Sequence, residues 1–350
     1  MGKLAAGGSL LLAAFYRSGP PQFKVWNMEL NAIDRAHELL NNGVPRRAAG
    51  ELERAGKAGD GTALVELAIW FIAGIHVPRD MARAAELMKA AASLDLDDAI
   101  VMHAAMLANG AGAPPNWKKA KSILSAYATR IPSAEEQLHI LSLMALDLHG
   151  DPTRGYPSEL LHHSPRIVRF PSFLTELECT YIAETSASLL EPALIVDPRN
   201  GHQIPHPVRT SDGGAIGPLR ENLVIRAVNQ RIAVVSATNV DQGEPLTVLR
   251  YRPGQQYRSH LDTISGVSNQ RIRTMIIYLN EGFHGGHTTF TELPLAIAPR
   301  AGDAILFDNL DAAGCPDPKS RHAGLPVTNG AKWIATRWIR ANRYDPWAGG

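Results

Sequence analysis

A repeat with a period of 36 residues runs through the first half of this chain and dictates its architecture there. Between Gly43 and Tyr127, Ala63 matches Ala99, Ala68 matches Ala104, Gly74 matches Gly110 and Pro78 matches Pro114. Asp80 then matches Asn116, Ala84 matches Ala120 and Ala92 matches Ala128. Small residues recurring at one offset mark places where helices approach closely, and a glycine followed by a proline marks the turn between them. Such a pattern predicts tandem helical hairpins. A single hairpin cannot bury a core, so neighbours must stack into a curved array. Partial copies are expected before the repeat (Ala48, Leu52, Ala55) and after it (Ala134 to Leu148).

Beyond Gly150 the pattern changes. The turn-rich stretch from Gly150-Asp151-Pro152 to Ser164-Pro165 predicts a boundary. Downstream, Pro245 to Tyr251, Arg273 to Leu279, Asp303 to Phe307 and Lys332 to Ile339 read as strands separated by Gly/Pro loops. An antiparallel two-sheet jelly roll accounts for them. The expectation is an α+β multidomain chain, with a helical repeat domain over 1–150, a linker over 151–165 and a double-stranded β-helix, or jelly roll, over 166–350.

Within that second half lies His260-Leu261-Asp262, followed much later by His322 and Lys332. Residues i and i+2 of an extended segment point to the same side, so His260 and Asp262 can present an imidazole and a carboxylate together. A histidine from another strand would complete a 2-His-1-carboxylate set, which leaves positions open on the metal as in non-heme Fe(II) oxygenases. Lys332, Ile334, Thr336 and Trp338 alternate with Trp333, Ala335, Arg337 and Ile339, so Lys332 and Trp338 share one face of a strand. An ammonium inside a barrel is costly unless paired. A dicarboxylic cosubstrate would pair it, with an attraction of about 4 kcal/mol at roughly 4 Å and an effective dielectric near 20.

The surrounding motifs form one ordered series. Tyr251-Arg252-Pro253-Gly254-Gln255-Gln256-Tyr257 leads to the His-Leu-Asp tripeptide, then to Arg271-Ile272-Arg273-Thr274 and Tyr278-Leu279-Asn280. Gly285-Gly286-His287-Thr288-Thr289-Phe290, Gly302-Asp303 and His322-Ala323-Gly324 follow, and Lys332-Trp333 closes the series. With the upstream segments Phe173-Leu174-Thr175 and Arg209-Thr210-Ser211, this series resembles the prolyl 4-hydroxylase family of Fe(II)- and 2-oxoglutarate-dependent dioxygenases from about Arg166 to Arg340. The resemblance implies Fe(II) held by His260, Asp262 and His322, with 2-oxoglutarate and O2 as cosubstrates and ascorbate as a further cofactor. Lys332 would anchor the distal carboxylate of 2-oxoglutarate, with Tyr251, Thr288 and Tyr278 as additional contacts. Arg209, Tyr257 and Trp338 would stand at the substrate mouth. The implied reaction is hydroxylation of an sp3 carbon, foremost a prolyl residue of a peptide or protein. In one departure, His287 stands where the family usually has an acidic residue after the paired glycines. His284 and His287 read as loop or substrate-rim residues, because no cysteine accompanies them as in a zinc site.

The helical half resembles Sel-like repeats, relatives of the tetratricopeptide repeat, which implies either a groove for a protein partner or a cap that steadies the barrel. Two rival functions stand beside the leading one: hydroxylation of a free amino acid or small metabolite, and a catalytically inactive interaction scaffold. A net charge of +1 with no basic block offers no electrostatic footprint for nucleic acid. Cys179 and Cys315 lie far apart, which excludes a disulfide framework and fits a reducing compartment. The apolar run Ser9 to Tyr16 after Lys3 is short for a signal peptide and lacks a clean cleavage site, so a cytoplasmic protein with no membrane span is expected.

Overall fold

The structure, a computed structural model, describes residues 31–196 and 202–346. The apolar run Ser9 to Tyr16 lies outside the described residues. The chain separates into two compact units. Among the described residues, one holds 31–153 together with Leu219–Ala227, and the other holds 154–196, 202–218 and Val228–Pro346.

The first unit is built from helices α1 (Ala32–Asn41), α2 (Pro45–Lys57), α3 (Gly61–Ala73), α4 (Met81–Ser93), α5 (Asp97–Asn109), α6 (Trp117–Tyr127) and α7 (Pro132–Leu143). The repeat is reproduced down to individual hydrogen bonds. Gly74 and Gly110 end α3 and α5 in the left-handed region, at φ 67° and 69°, where glycine carries no Cβ penalty. Asp80 and Asn116 cap α4 and α6, each side chain accepting a 2.9 Å bond from the backbone N–H of Arg83 or Lys119. The same two residues donate their own N–H groups to Phe71 O and Leu107 O, again 36 positions apart. Ala63, Ala68, Ala84 and their counterparts Ala99, Ala104 and Ala120 are fully buried, because a larger side chain would hold the helices apart. Leu219–Ala227 joins this unit through Asn109 Nδ2, which donates to Glu221 O at 2.7 Å, and through Leu223 N–H, which donates to Gln137 Oε1 at 3.2 Å. No helix among the described residues is long and apolar enough to cross a membrane.

The second unit begins with a hairpin of β1 (Glu159–His163) and β2 (Arg166–Phe170), so the segment 151–165 carries a paired strand as well as turns. After it come α8 (Glu176–Ala187), β3 (Glu191–Pro192), β4 (Leu194–Val196), β5 (Gln203–Pro205), β6 (Asp212–Ile216) and α9 (Leu223–Ser236), of which the part up to Ala227 belongs to the first unit. The remaining strands are β7 (Leu246–Tyr251), β8 (Tyr257–His260), β9 (Arg271–Tyr278), β10 (His284–Gly285), β11 (Thr288–Phe290) and β12 (Leu295–Ile297). They end with β13 (Ala304–Asp308), β14 (His322–Gly324), β15 (Val327–Asn329) and β16 (Lys332–Arg340). The major sheet runs β1-β2-β13-β9-β16-β7-β6-β3 and the minor sheet β12-β11-β14-β8, all antiparallel. Their facing sides share one core, in which Ile167, Leu249, Ile276, Ile305, Phe307 and Ile334 of the major sheet meet Phe290 and Ile297 of the minor one. Two antiparallel sheets closed over a common core make the expected jelly roll. Each of the four strands read from the sequence is present, shifted by no more than two residues at either end.

Candidate active site

Strand register assembles the site. On β14 and β8, His322 lies directly opposite His260, and the two rings are 4.3 Å apart between centroids. Asp262 follows β8 by two residues and turns inward with 4% of its surface exposed. His260 Nδ1 donates to Arg258 O at 2.8 Å, and His322 Nδ1 donates to Ser320 O at 3.0 Å. Each bond leaves the lone pair on Nε2, and both Nε2 atoms face the same carboxylate, at 3.4 Å from Asp262 Oδ1 and 3.7 Å from Oδ2. The buried Nε2 of His260 has no hydrogen-bond partner. A metal ion is the partner that suits this atom, since the donor set is two neutral imidazoles and a carboxylate within 4.8 Å of one another.

Protonation states agree with that use. Burial lowers His322 to about 4, so its ring is neutral near pH 7. Burial alone would raise Asp262, but the rings of His322 and His260 and the Thr274 hydroxyl outweigh it and hold the carboxyl below the usual range. Tyr257 stacks on His260 at 3.5 Å with the planes 12° apart, which fixes the tilt of that imidazole.

These residues line a cleft whose wall includes Tyr251, Tyr257, Thr288, Lys332, Thr336 and Trp338. Lys332, Ile334, Thr336 and Trp338 all line it, as the period-two alternation predicted. Lys332 and Trp338 therefore mark two ends of one strand. Thr274, bonded to Asp262, lies opposite Trp338, while Tyr251 lies opposite Lys332. The Lys332 ammonium is buried, donates to Gly286 O at 2.6 Å and sits 5.6 Å and 5.5 Å from the Tyr251 and Tyr278 rings. Burial without an acidic partner pulls it down to about 7. The paired glycines make this contact possible: both have positive φ, and a Cβ on Gly285 would lie 2.4 Å from Pro326 O.

Two of the sequence-predicted residues do not reach the cleft wall. Tyr278 is fully buried behind it and donates its hydroxyl to Thr288 Oγ1 at 2.8 Å. Arg209 forms a backbone bridge with Tyr257 and places its guanidinium 6.0 Å from that ring. Trp338 lies beneath the Arg271 guanidinium at 4.1 Å, and Arg271 is clamped by Glu244 at 2.6 Å. His284 and His287 line a separate open groove with Glu281 and Arg300. Arg337 turns away from the cleft, its guanidinium donating to the carbonyls of Glu244, Asn229 and Val240.

The sequence reading missed Thr274 and Asn309. Thr274 donates to Asp262 Oδ2 at 2.6 Å and accepts from Asn309 Nδ2 at 2.9 Å. Thr274 stood inside the Arg-Ile-Arg-Thr motif, and its position as a polar residue entering the apolar strand Met275 to Leu279 was the available signal.

Comparison with known proteins agrees with this geometry. A family model described as the 2OG-Fe(II) oxygenase superfamily matches residues 246–340. Prolyl 4-hydroxylase 1 of Arabidopsis thaliana is 35% identical over 204 residues, covering 52% of this chain and 71% of that protein. Probable prolyl 4-hydroxylase 4 of the same plant is 33% identical over 207 residues, covering 52% of this chain and 69% of that protein. Among solved structures, the viral collagen prolyl hydroxylase of Paramecium Bursaria Chlorella virus-1, in its 2OG complex, is 28% identical with a TM-score of 0.41. It covers 50% of this chain and 96% of its own length. A Sel1 repeat protein from Oxalobacter formigenes is 22% identical with a TM-score of 0.28, covering 31% of this chain and 86% of its own.

Proposed function

Since this chain belongs to the prolyl 4-hydroxylase family of 2-oxoglutarate-dependent dioxygenases, we propose that His260, Asp262 and His322 hold its Fe(II) and that it hydroxylates a prolyl residue of a peptide or protein. One observation carries the ligand assignment: both Nδ1 atoms are committed to backbone carbonyls, leaving two Nε2 lone pairs converging on one buried carboxylate. When bound, Fe(II) with 2-oxoglutarate and O2 supplies the oxidation that turns a C–H into C–OH while 2-oxoglutarate becomes succinate and CO2.

The protein's part is orientation. Lys332 anchors the distal carboxylate of 2-oxoglutarate, and Tyr251 and Thr288 flank it, with Tyr278 acting through the Thr288 hydroxyl. A dianion beside the buried ammonium restores the charge that burial disfavours. Tyr257 and Trp338 bound the substrate end, and Arg209 reaches it through Tyr257. The division of labour follows 1–150 as helical repeats, 151–165 as linker and 166–350 as the dioxygenase. The repeats, which among the described residues contribute no cluster of metal-ligand types, hold the protein partner. Ascorbate supports turnover as a reductant. A cytoplasmic setting is supported by two free cysteines, buried Cys179 and exposed Cys315.

The test is turnover of 2-oxoglutarate to succinate across prolyl peptides, free proline and other amino acids, with mass analysis of each product. Peptides should show a mass gain of one oxygen on proline with stoichiometric succinate. Hydroxylation of free amino acids alone would replace the peptide reading with the small-metabolite one.

A further inference from the structure

We infer that Thr274 and Asn309 form a positioning pair that restricts Asp262 to one metal-binding oxygen and thereby keeps a coordination position open for O2. The inference rests on the metal assignment above. A hydroxyl has one hydrogen to donate. Asp262 Oδ2 can only accept, so the Thr274 hydroxyl donates to it at 2.6 Å and the Thr274 oxygen in turn accepts from Asn309 Nδ2 at 2.9 Å. The polarity of the relay is therefore set from Asn309 to Thr274 to Asp262.

Each member is immobilised. Thr274 is 1% exposed and Asn309 fully buried. Asn309 donates its backbone N–H to Ile272 O at 2.9 Å and accepts at its carbonyl from Asp317 N–H at 3.0 Å. Thr274 sits in register opposite Phe307 of β13 on one side and Trp338 of β16 on the other. The carboxylate plane of Asp262 is thus fixed by the sheet rather than chosen by the ion.

The consequence concerns coordination number. Were Fe(II) held by two imidazoles and a single carboxylate oxygen, the remaining positions would be left for the 2-oxo acid and O2. A carboxylate that bound through both oxygens would fill the position needed for O2. The Thr274 hydroxyl occupies one lone pair of Oδ2, the oxygen 3.7 Å from His322 Nε2, and so favours Oδ1, which has no such bond and lies 3.4 Å from His260 Nε2, as the metal-binding oxygen. Carboxylate ligands to metals are held in this way by outer hydrogen bonds, whose loss costs 10- to 100-fold in affinity or activity.

The test titrates the full-length metal-free protein with Co(II) alone under anaerobic conditions. Metal affinity, visible absorption and thermal stability would be compared in wild type, Thr274→Val, Thr274→Ser and Asn309→Ala. Thr274→Val, which keeps the shape without the hydroxyl, should weaken Co(II) binding about tenfold and reduce absorption intensity, as a higher coordination number does. Thr274→Ser should restore both. Asn309→Ala, which frees the hydroxyl to turn, should change both in the same direction by less. Wild-type affinity and spectrum in both Thr274→Val and Asn309→Ala would overturn the inference. Absence of stoichiometric Co(II) binding in the wild type would instead overturn the metal assignment, and the inference with it.

Discussion

The helical unit and the jelly-roll unit solve the same problem, burying a core, in opposite ways. In the helices nearly every backbone bond is local, and what one hairpin does the next repeats: Gly74 and Gly110, Asp80 and Asn116, Ala68 and Ala104 hold equivalent places. In the jelly roll nothing is repeated, and the contacts that matter join residues far apart, such as the facing rings of His260 and His322 and the hydrogen bond from Asn309 to Thr274. Repetition yields a surface, whereas convergence of distant strands yields a site. Among the described residues the group of three metal-ligand types lies only in the second unit.

The largest expected effect that would sharpen this contrast is at Asp262. Asp262→Ala should abolish stoichiometric Fe(II) binding and all 2-oxoglutarate turnover, while far-UV circular dichroism retains the full helical signal. Full activity in that variant would sink the ligand assignment.

Lys332→Ala should raise the KM for 2-oxoglutarate by roughly 10- to 100-fold, the equivalent of losing one charged hydrogen bond, with Fe(II) binding intact. The same lysine sets a pH dependence. Its free-enzyme value is pulled down to about 7, so the ammonium that attracts 2-oxoglutarate is present below that pH and is lost above it. In the wild type the KM for 2-oxoglutarate should rise as pH rises through about 7, and in Lys332→Ala this rise should be absent. Initial rates against 2-oxoglutarate concentration from pH 6 to 9 would check both; a flat wild-type profile would place the cosubstrate carboxylate elsewhere.

A smaller effect tests the other side. Ala104 is fully buried where two helices meet, and Ala104→Leu should destabilise the helical unit by about 1–3 kcal/mol. Chemical unfolding followed by circular dichroism would measure it, and Fe(II)-dependent decarboxylation of 2-oxoglutarate should be unchanged. Loss of decarboxylation in parallel would break the comparison, making the helices part of what holds the site. Smallest is Asn116→Ala, which removes the α6 cap and should cost about 1 kcal/mol in the same unfolding experiment.

Much of this was legible because it is written in local periodicities. The 36-residue offset announced the helical hairpins, and the alternation from Lys332 to Trp338 correctly put both on the cleft face. The motif series located the strands and named His260, Asp262, His322, Lys332, Tyr251, Thr288, Tyr257 and Trp338, which line one cleft, together with Tyr278 and Arg209, which do not. Less legible were features that depend on what lies across a sheet. Tyr278 read equally as packing and as contact; it proves buried, touching Thr288 rather than lining the cleft. Nor did composition indicate that Leu219–Ala227 clusters with the helices, or that a strand begins at Glu159 inside a turn-rich segment.

Spacing along the chain was enough to reveal the helical hairpins, the four strands between Pro245 and Ile339, the shared face of Lys332 and Trp338 and the inventory of ligand-type residues, because each follows from periodicity within one strand or helix. Only the tertiary structure decided which of those residues meet. The register of β14 against β8 sets His322 opposite His260, and the register of β9 within the major sheet brings Thr274 to Asp262. Register is a relation between two segments, fixed by packing on both faces of a sheet, and a single strand's pattern carries no record of its partner.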